Sequence, residues 1–212
     1  MTVVALSAAY GAGGSQVGPA VAERLGVPFL DRAIPMAVAE DLKAPVDDAA
    51  AFDDRPPTSW LHRLLHGFIG SDVVTPTALP SGAFTSEDFA RATEKVLRQQ
   101  AETGQGVILG RAAVIVLRDD PGALRVRLDG PRERRLAQAA RLGELDEATA
   151  GRALRQFDRA HAEYARRFYG ADLRDPSLYH LVLDSTAIDL NACTELIVAS
   201  AQALAGSPVA RS

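Results

Sequence analysis

Short apolar runs alternate with longer amphipathic segments along most of the chain. The apolar runs predict buried strands at 3–6, 27–31, 106–110, 124–130 and 179–185. Between them, apolar residues recur every three or four positions, which predicts helices at 15–25, 33–44, 86–103, 112–117, 131–142, 146–170 and 188–204. Alternating strands and helices are typical of an α/β fold, so we expect a central parallel sheet with helices on both faces.

Residues that commonly begin or end helices support several of these boundaries. Gly26 and Gly170 directly follow helical segments, where glycine often ends a helix. Asp146 is expected to be an N-cap, and Pro131 suits a first helical turn. The first strand, turn, helix and second strand form a short βαβ unit, whose two strands we expect to be parallel.

The segment 45–84 differs from the rest of the chain. Proline, glycine, serine and threonine are frequent there, and one amphipathic piece, "WLHRLLHGFIG" (60–70), interrupts them. Long irregular stretches inside a compact domain are usually functional or disordered. We expect a small helical lobe with flexible edges.

Several residues with reactive or charged side chains fall at the ends of predicted strands. The glycine-rich turn follows Leu6, Asp31 ends the second strand, and Arg111 comes directly after the third. Ligands of open parallel sheets bind at the carboxyl ends of the strands. These three sites are therefore expected to face one crevice.

The turn "YGAGGSQ" (10–16) joins a predicted strand to a predicted helix. Such a turn exposes backbone amides at a helix N-terminus, which favours phosphate binding. The common phosphate-loop pattern ends in Gly-Lys-Ser/Thr, but here Gly14 stands at the lysine position and Ser15 at the hydroxyl position. The alternative is a tight glycine turn that binds no ligand.

Arginine and aspartate are the other candidates for phosphate chemistry, since the chain has only two lysines, Lys43 and Lys95. For most of the arginines the simplest interpretation is a solvated helical face. That interpretation is weaker for Arg111 and Arg135, which are candidates to bind phosphate. Asp158 shares a helical face with Arg155 and His161, so an ion pair within that helix is the plain alternative.

Composition narrows the function classes. The chain has 212 residues, 47% of them hydrophobic, and a formal net charge of −4, which argues against broad nucleic-acid binding. No apolar run approaches the roughly 20 residues that cross a bilayer. No signal segment precedes the first strand, so we expect a cytoplasmic protein. The single cysteine, Cys193, is expected to be a small core residue.

Several stretches together resemble the cytidylate kinase-like family of P-loop nucleoside monophosphate kinases. They occur in family order and cover nearly the whole chain, and the first resembles the YGSGG-type loop of the branch without the lysine: "YGAGG" (10–14), "GVPFLDR" (26–32), "VILGRAA" (107–113), "LRVRLDGPRERR" (124–135), "FDRAHAEYARRFYG" (157–170) and "YHLVLDST" (179–186).

The resemblance implies a P-loop NTPase-type three-layer α/β/α fold in a single kinase-like domain. The core would comprise 1–34, 86–130 and 179–206, with an inserted acceptor-binding lobe at 35–85 and a helical, arginine-rich lid at 131–170. It also implies phosphoryl transfer from ATP to CMP or dCMP, with Mg²⁺ bridging donor phosphates and possible help from Ser15.

The same resemblance implies roles for individual residues. The donor phosphates would lie on Gly11, Ala12, Gly13, Gly14, Ser15 and Gln16. The acceptor would lie near Asp31, Arg32, Arg111, Asp158 and His161. Arg111, Arg135 and Asp158 would be catalytic, with Arg135 facing the transferred phosphate, and Arg132 and Arg141 would belong to the lid.

Three positions depart from the family pattern. Ser15 and Gln16 stand where the branch tends to have arginine and glutamate, and His161 stands where the family usually has arginine. Loss of well-placed cations typically lowers phosphoryl transfer strongly. A non-catalytic nucleotide-binding or regulatory protein, and a kinase for another small molecule, therefore remain alternatives.

Overall fold

The computed structural model describes residues 3–31, 86–143 and 146–207. The predicted helix 33–44, the segment 45–84 and the predicted lobe 35–85 lie outside these ranges. The helices and strands, in chain order, are β1 (Val3–Ala8), α1 (Gly14–Leu25), β2 (Phe29–Asp31), α2 (Ser86–Glu102), β3 (Gly106–Leu109), α3 (Arg111–Val116), β4 (Ala123–Asp129), α4 (Arg132–Gly143), α5 (Glu147–Tyr169), β5 (Leu181–Asp184) and α6 (Leu190–Gly206).

The five strands form one parallel sheet in the order β2-β3-β1-β4-β5. Strand β1 lies at its centre, where Val3 pairs with Gly106 of β3 on one side and with Ala123 of β4 on the other. The predicted parallel orientation of β1 and β2 is confirmed, but β3 lies between them. The glycine loop after β1 therefore lies next to the residues that follow β3.

Alternating side chains of β1 divide the core into two layers. Val3 and Ala5 pack on the face covered by α2, α3 and α5. Val4 and Leu6 pack on the opposite face, which α1 and α6 cover. All four are buried, as period-two alternation in a central strand requires. The predicted three-layer α/β/α arrangement is confirmed.

Local capping residues behave as predicted. The Asp146 carboxylate accepts a hydrogen bond from the Thr149 backbone N–H at 2.8 Å and begins α5. Gly26 and Gly170 end α1 and α5 in left-handed conformations. Cys193 is fully buried in α6. A short 3₁₀ helix at Pro176–Leu178, which the sequence pattern did not predict, precedes β5.

Within the described ranges, no helix is long and apolar enough to cross a membrane.

Candidate functional site

The turn between β1 and α1 leaves the start of α1 without a side-chain cap. Gly13 is the N-cap, adopts a left-handed conformation with φ 75°, and has no side chain to offer the following amides. The first amides of a helix have no partner inside the helix and lie at the positive end of its dipole. The site thus begins with a helix N-terminus open to an anion.

Buried side chains hold three successive carbonyls of this loop. Arg135 Nη1 donates to the Tyr10 carbonyl at 2.8 Å, and Gln138 Nε2 donates to the Gly11 carbonyl at 3.0 Å. The Ser185 hydroxyl, which is 1% exposed, donates to the Ala12 carbonyl at 2.8 Å. Because the donors come from α4 and from the loop after β5, the glycine loop is held by distant parts of the chain.

Arg135 and Asp158 bind the backbone carbonyl and the backbone N–H of Tyr10, respectively. Asp158 Oδ1 accepts from the Tyr10 N–H at 3.3 Å, and its Oδ2 lies 2.8 Å from Arg135 Nη2. Arg135 Nε donates to the Gly130 carbonyl at 3.1 Å and lies 3.5 Å from Asp129 Oδ1. All three guanidinium nitrogens therefore contact the protein, and the Arg135 side chain is only 9% exposed.

This ion pair joins two helices. The plain alternative for Asp158 was a pair with Arg155 along α5, but the structure pairs Asp158 with Arg135 of α4. The contact forms because α4 and α5 pack side by side beneath the loop. In this arrangement Arg135 supports the loop, and its role at a transferred phosphate stays a prediction.

Gly11 is a loop position where a side chain does not fit. Its φ of 77° is a left-handed conformation that residues with a side chain rarely adopt. A Cβ atom there would lie 2.2 Å from the carbonyl oxygen of Arg135. The close approach of α4 to the loop therefore requires glycine at this position.

Holding the carbonyls determines where the amides of the loop point. The carbonyl and amide of one peptide unit point in opposite directions, so turning Tyr10 and Ala12 carbonyls toward the protein turns the next two amides away from it. Among the described residues, no hydrogen-bond acceptor contacts the amides of Gly11, Gly13, Gly14 and Ser15. Successive unpaired amides at a helix N-terminus form a nest that suits a phosphate or another anion.

These amides line a cleft of about 350 Å³. One wall is aromatic, since the Tyr10 and Phe157 rings lie 5.5 Å apart and the Phe157 and His161 rings 3.8 Å apart. Burial raises the pKa of the Tyr10 hydroxyl, which therefore stays protonated near neutral pH. The described lining comprises Ala8, Ala9, Tyr10, Gly11, Gly13, Gly14, Ser15, Gln16, Leu109, Gly110, Ala139, Leu142, Gly143, Phe157 and His161.

The described lining carries no lysine, arginine or carboxylate. Nor do the described residues contain a cluster of three histidine, cysteine or acidic side chains that could hold a metal ion. Mg²⁺ retains several waters and is commonly held by substrate phosphates with few protein ligands. The site therefore fits a magnesium ion that arrives with phosphates, with Ser15 offering a hydroxyl oxygen.

The structure brings together only part of the predicted site. Gly11, Gly13, Gly14, Ser15, Gln16 and His161 line the cleft, whereas Ala12 is fully buried behind it. Arg132 and Arg141 are exposed on α4. Asp31 ends β2 and Arg111 begins α3, but their side chains lie outside what the structure describes, as does the whole of Arg32.

Sequence reasoning missed Gln138, Ser185, Tyr10 and Phe157. Gln138 follows Arg135 by three residues, so the shared helical face was a signal that could have suggested it. Ser185 directly follows a strand, which is where ligand-side residues of a parallel sheet collect. Nothing in the local sequence indicates that Phe157 packs against Tyr10.

Two solved structures illustrate the relation to known proteins. An uncharacterized protein from Eubacterium ventriosum ATCC 27560 is 19% identical, with a TM-score of 0.64 over 95% of this chain and 99% of that chain. A gluconokinase from Sinorhizobium meliloti 1021 is 16% identical, with a TM-score of 0.51 over 97% of this chain and 94% of that chain. At these identities the likeness shows a shared fold, and the gluconokinase makes it a fold that kinases use.

A search of curated proteins finds no match. The family model described as "Cytidylate kinase-like family" matches residues 3–187, which include every described strand and the whole glycine loop. The chain therefore belongs to the cytidylate kinase-like family.

Proposed function

We propose that the protein is an ATP-dependent phosphotransferase that acts on a nucleoside monophosphate, with CMP or dCMP as the first acceptors to test. The terminal phosphoryl group of ATP would pass to a phosphate oxygen of the acceptor, giving ADP and CDP or dCDP. Family membership and the kinase-type fold support phosphotransfer in general.

The observation that carries this proposal is the loop with its carbonyls held and its amides free. Arg135, Gln138 and Ser185 hold the carbonyl side, so the amides of Gly13 and Ser15 are available to a ligand. Prepositioned amides bind phosphate without reorganising, which is how a rigid site favours a charged transition state.

Backbone positions support an acceptor next to the donor phosphates. Strand β3 lies between β1 and β2, Asp31 pairs with Leu109, and the Gly110 amide donates to the Leu6 carbonyl at 2.9 Å. Arg111 follows directly. Asp31 and Arg111, two of the five residues that the family resemblance assigns to the acceptor, thus leave the sheet at the same edge as the glycine loop.

A magnesium ion would supply charge neutralisation between donor phosphate oxygens. The chain itself would hold the phosphates through the loop amides, and Ser15 is the candidate protein ligand for the ion. Removal of Mg²⁺ with EDTA is expected to abolish turnover and to leave binding of the free nucleotide measurable.

A second candidate is a nucleotide-binding or regulatory protein without catalysis. The observation that favours it is the described lining of the cleft, which contains neither lysine nor arginine. In other kinases such cations follow the charge onto the transferred group. This alternative predicts nucleotide binding without product.

The deciding experiment incubates purified protein with ATP, Mg²⁺ and each of the nucleoside monophosphates, and separates ADP and diphosphate products by ion exchange. Gluconate serves as a non-nucleotide acceptor. Arg111→Ala is expected to abolish acceptor-dependent turnover. The matched control is Arg118→Ala, whose side chain is 63% exposed and whose ion-pair partner among the described residues is the neighbouring Asp119, and it is expected to retain turnover. Nucleotide binding without turnover on any acceptor would favour the regulatory protein.

A further inference from the structure

His161 is a buried histidine inside the cleft of the glycine loop. It lies on α5, is 6% exposed and packs edge-on against Phe157, with the ring centroids 3.8 Å apart. It also lines the same cleft as the unpaired amides of Gly13 and Ser15. The orientation of the His161 ring is therefore set by packing, because its buried Nδ1 makes no hydrogen bond with a described residue.

The two ring nitrogens of His161 are in different surroundings. Nδ1 is buried and has no hydrogen-bond partner among the described residues. Nε2 is not among the buried atoms that lack a partner. Because His161 lines the cleft, Nε2 is the ring nitrogen that a ligand in the cleft can contact. A proton on Nδ1 would leave a buried N–H without an acceptor, which costs more free energy than a bare nitrogen does. The favoured tautomer therefore carries its proton on Nε2.

We infer that His161 presents an Nε2–H donor to a phosphate group held by the glycine loop. Among the described lining residues, His161 is the one member of the histidine, lysine and arginine group, so an anion in the cleft has few other side-chain donors. The inference rests on the proposed function, because its ligand is the phosphate chain of a nucleotide. It assigns to the His161 imidazole part of the phosphate binding that a loop lysine performs elsewhere.

His180 is a natural control within the same chain. Its Nδ1 accepts a hydrogen bond from the Arg125 N–H at 3.2 Å, and it is exposed at the start of β5, away from the described cleft lining. Partial desolvation of the ring, with a smaller effect of the Arg125 charge, lowers the pKa of His180 although the residue is largely exposed. The two histidines differ in whether a ring nitrogen can meet the ligand.

The test uses side chains that place an amide N–H at one ring position or the other. The Nε2 of glutamine overlies the Nε2 of histidine, whereas the Nδ2 of asparagine overlies Nδ1. Binding of ADP and of pyrophosphate is measured by calorimetry for the wild type, His161→Gln, His161→Asn, His161→Phe and His180→Gln, with thermal melting of each free variant.

We expect His161→Asn and His161→Phe to weaken binding of both probes roughly 10- to 100-fold, the effect of one hydrogen bond to a charged group. His161→Gln should retain most of the affinity, and His180→Gln should match the wild type. Equal losses in the glutamine, asparagine and phenylalanine variants, or no loss in any of them, would overturn the inference.

A measurement on the wild type keeps the inference testable should variants fold poorly. Nitrogen-15 NMR reports which ring nitrogen carries the proton, and His161→Gln identifies the His161 signals. The free protein should show the Nε2–H form of His161, and pyrophosphate should shift its Nε2 signal while the His180 signals stay in place. An Nδ1–H form, or an unmoved Nε2 signal in bound protein, contradicts the inference and leaves the proposed function intact. A wild type that binds neither probe overturns both.

Discussion

Helix α4 carries arginines in two contrasting situations. Arg135 is almost fully buried and donates to the Tyr10 carbonyl, the Gly130 carbonyl and the Asp158 carboxylate. Arg132 and Arg141 are exposed and make no ion pair with any described residue. The same residue type on one helix therefore supports the architecture of the site at one position and remains available to a ligand at two others.

The difference follows from which face of α4 meets the glycine loop. Arg135, Gln138 and Ala139 recur at helical spacing and are the buried residues of the helix. This face approaches Gly11 so closely that no side chain fits there. The contrast teaches that the arginines of one helix near the glycine loop include a buried support as well as exposed side chains, and that burial distinguishes them.

Removal of the buried arginine is expected to have the largest effect. Arg135→Ala leaves two carbonyls and a carboxylate without their donor, so we expect the free energy of unfolding to fall by about 3 kcal/mol. Nucleotide affinity should fall as well, because the loop loses its support. Urea unfolding of Arg135→Ala and of Arg132→Ala measures the difference in their free energies of unfolding. Equal stability of the two variants would show that the buried arginine supports the fold no more than the exposed one does.

The second prediction isolates the pair beneath the loop. Asp158→Asn keeps an oxygen near the Tyr10 N–H but removes the charge opposite Arg135, so we expect a loss of about 2 kcal/mol. In a double-mutant cycle with Arg135→Ala, the two losses should fail to add by about 1 kcal/mol or more. Additive losses would show that the 2.8 Å contact contributes nothing of its own.

Substitution of the exposed arginines should affect turnover more than stability. Arg132→Ala and Arg141→Ala are expected to change the free energy of unfolding by less than about 0.5 kcal/mol, as surface substitutions usually do. If they close over donor phosphates as the family resemblance implies, turnover should fall roughly tenfold or more, the contribution of one charge-assisted hydrogen bond. Thermal melting and steady-state kinetics of both variants separate the two quantities.

The smallest effect concerns a third kind of arginine on α4. Arg134 is exposed and pairs with Asp184 at 2.8 Å. Hydrogen bonds from Thr186, with a smaller effect of Arg134, hold the pKa of the Asp184 carboxyl below its usual range. A lowered pKa in the folded state means that the stabilisation is present above the unfolded pKa of about 4 and is lost as pH falls through the folded value.

Urea unfolding between pH 7 and pH 3 of the wild type and Asp184→Asn tests this prediction. The two curves should differ slightly at pH 7 and converge at the acid end. Arg134→Ala should remove only a part of the difference, as exposed ion pairs contribute little. A difference in the free energy of unfolding that grows toward low pH would contradict the predicted direction of the pH dependence.

Features that depend on neighbouring residues could be predicted from the sequence. The strand, glycine turn and helix at 3–25, the N-cap Asp146 and the helix stop Gly170 all express local preferences. The family resemblance assigned catalytic roles to Asp158 and Arg135, and those roles stay predictions. Local preferences did not show that the two residues bind each other and the loop, since that requires α4 and α5 to pack together.

Contacts between distant segments were beyond prediction for the same reason. The Ser185 hydroxyl donates to the Ala12 carbonyl although the two residues are 173 positions apart in the sequence, and no pattern in either segment predicts the contact. The order of β1, β3 and β2 in the sheet was also open, because a short crossover predicts parallel strands without requiring that they be neighbours.

The Ser185 contact has a consequence for the order in which the nascent chain matures. During synthesis, β1, β3 and β4 all precede β5, because β5 is the last of the described strands along the chain. The loop at 9–13 receives its Ser185 donor only after residue 185 has been added and β5 has docked beside β4. The last described strand to be synthesised therefore brings the residue that completes the hydrogen bonds around the glycine loop.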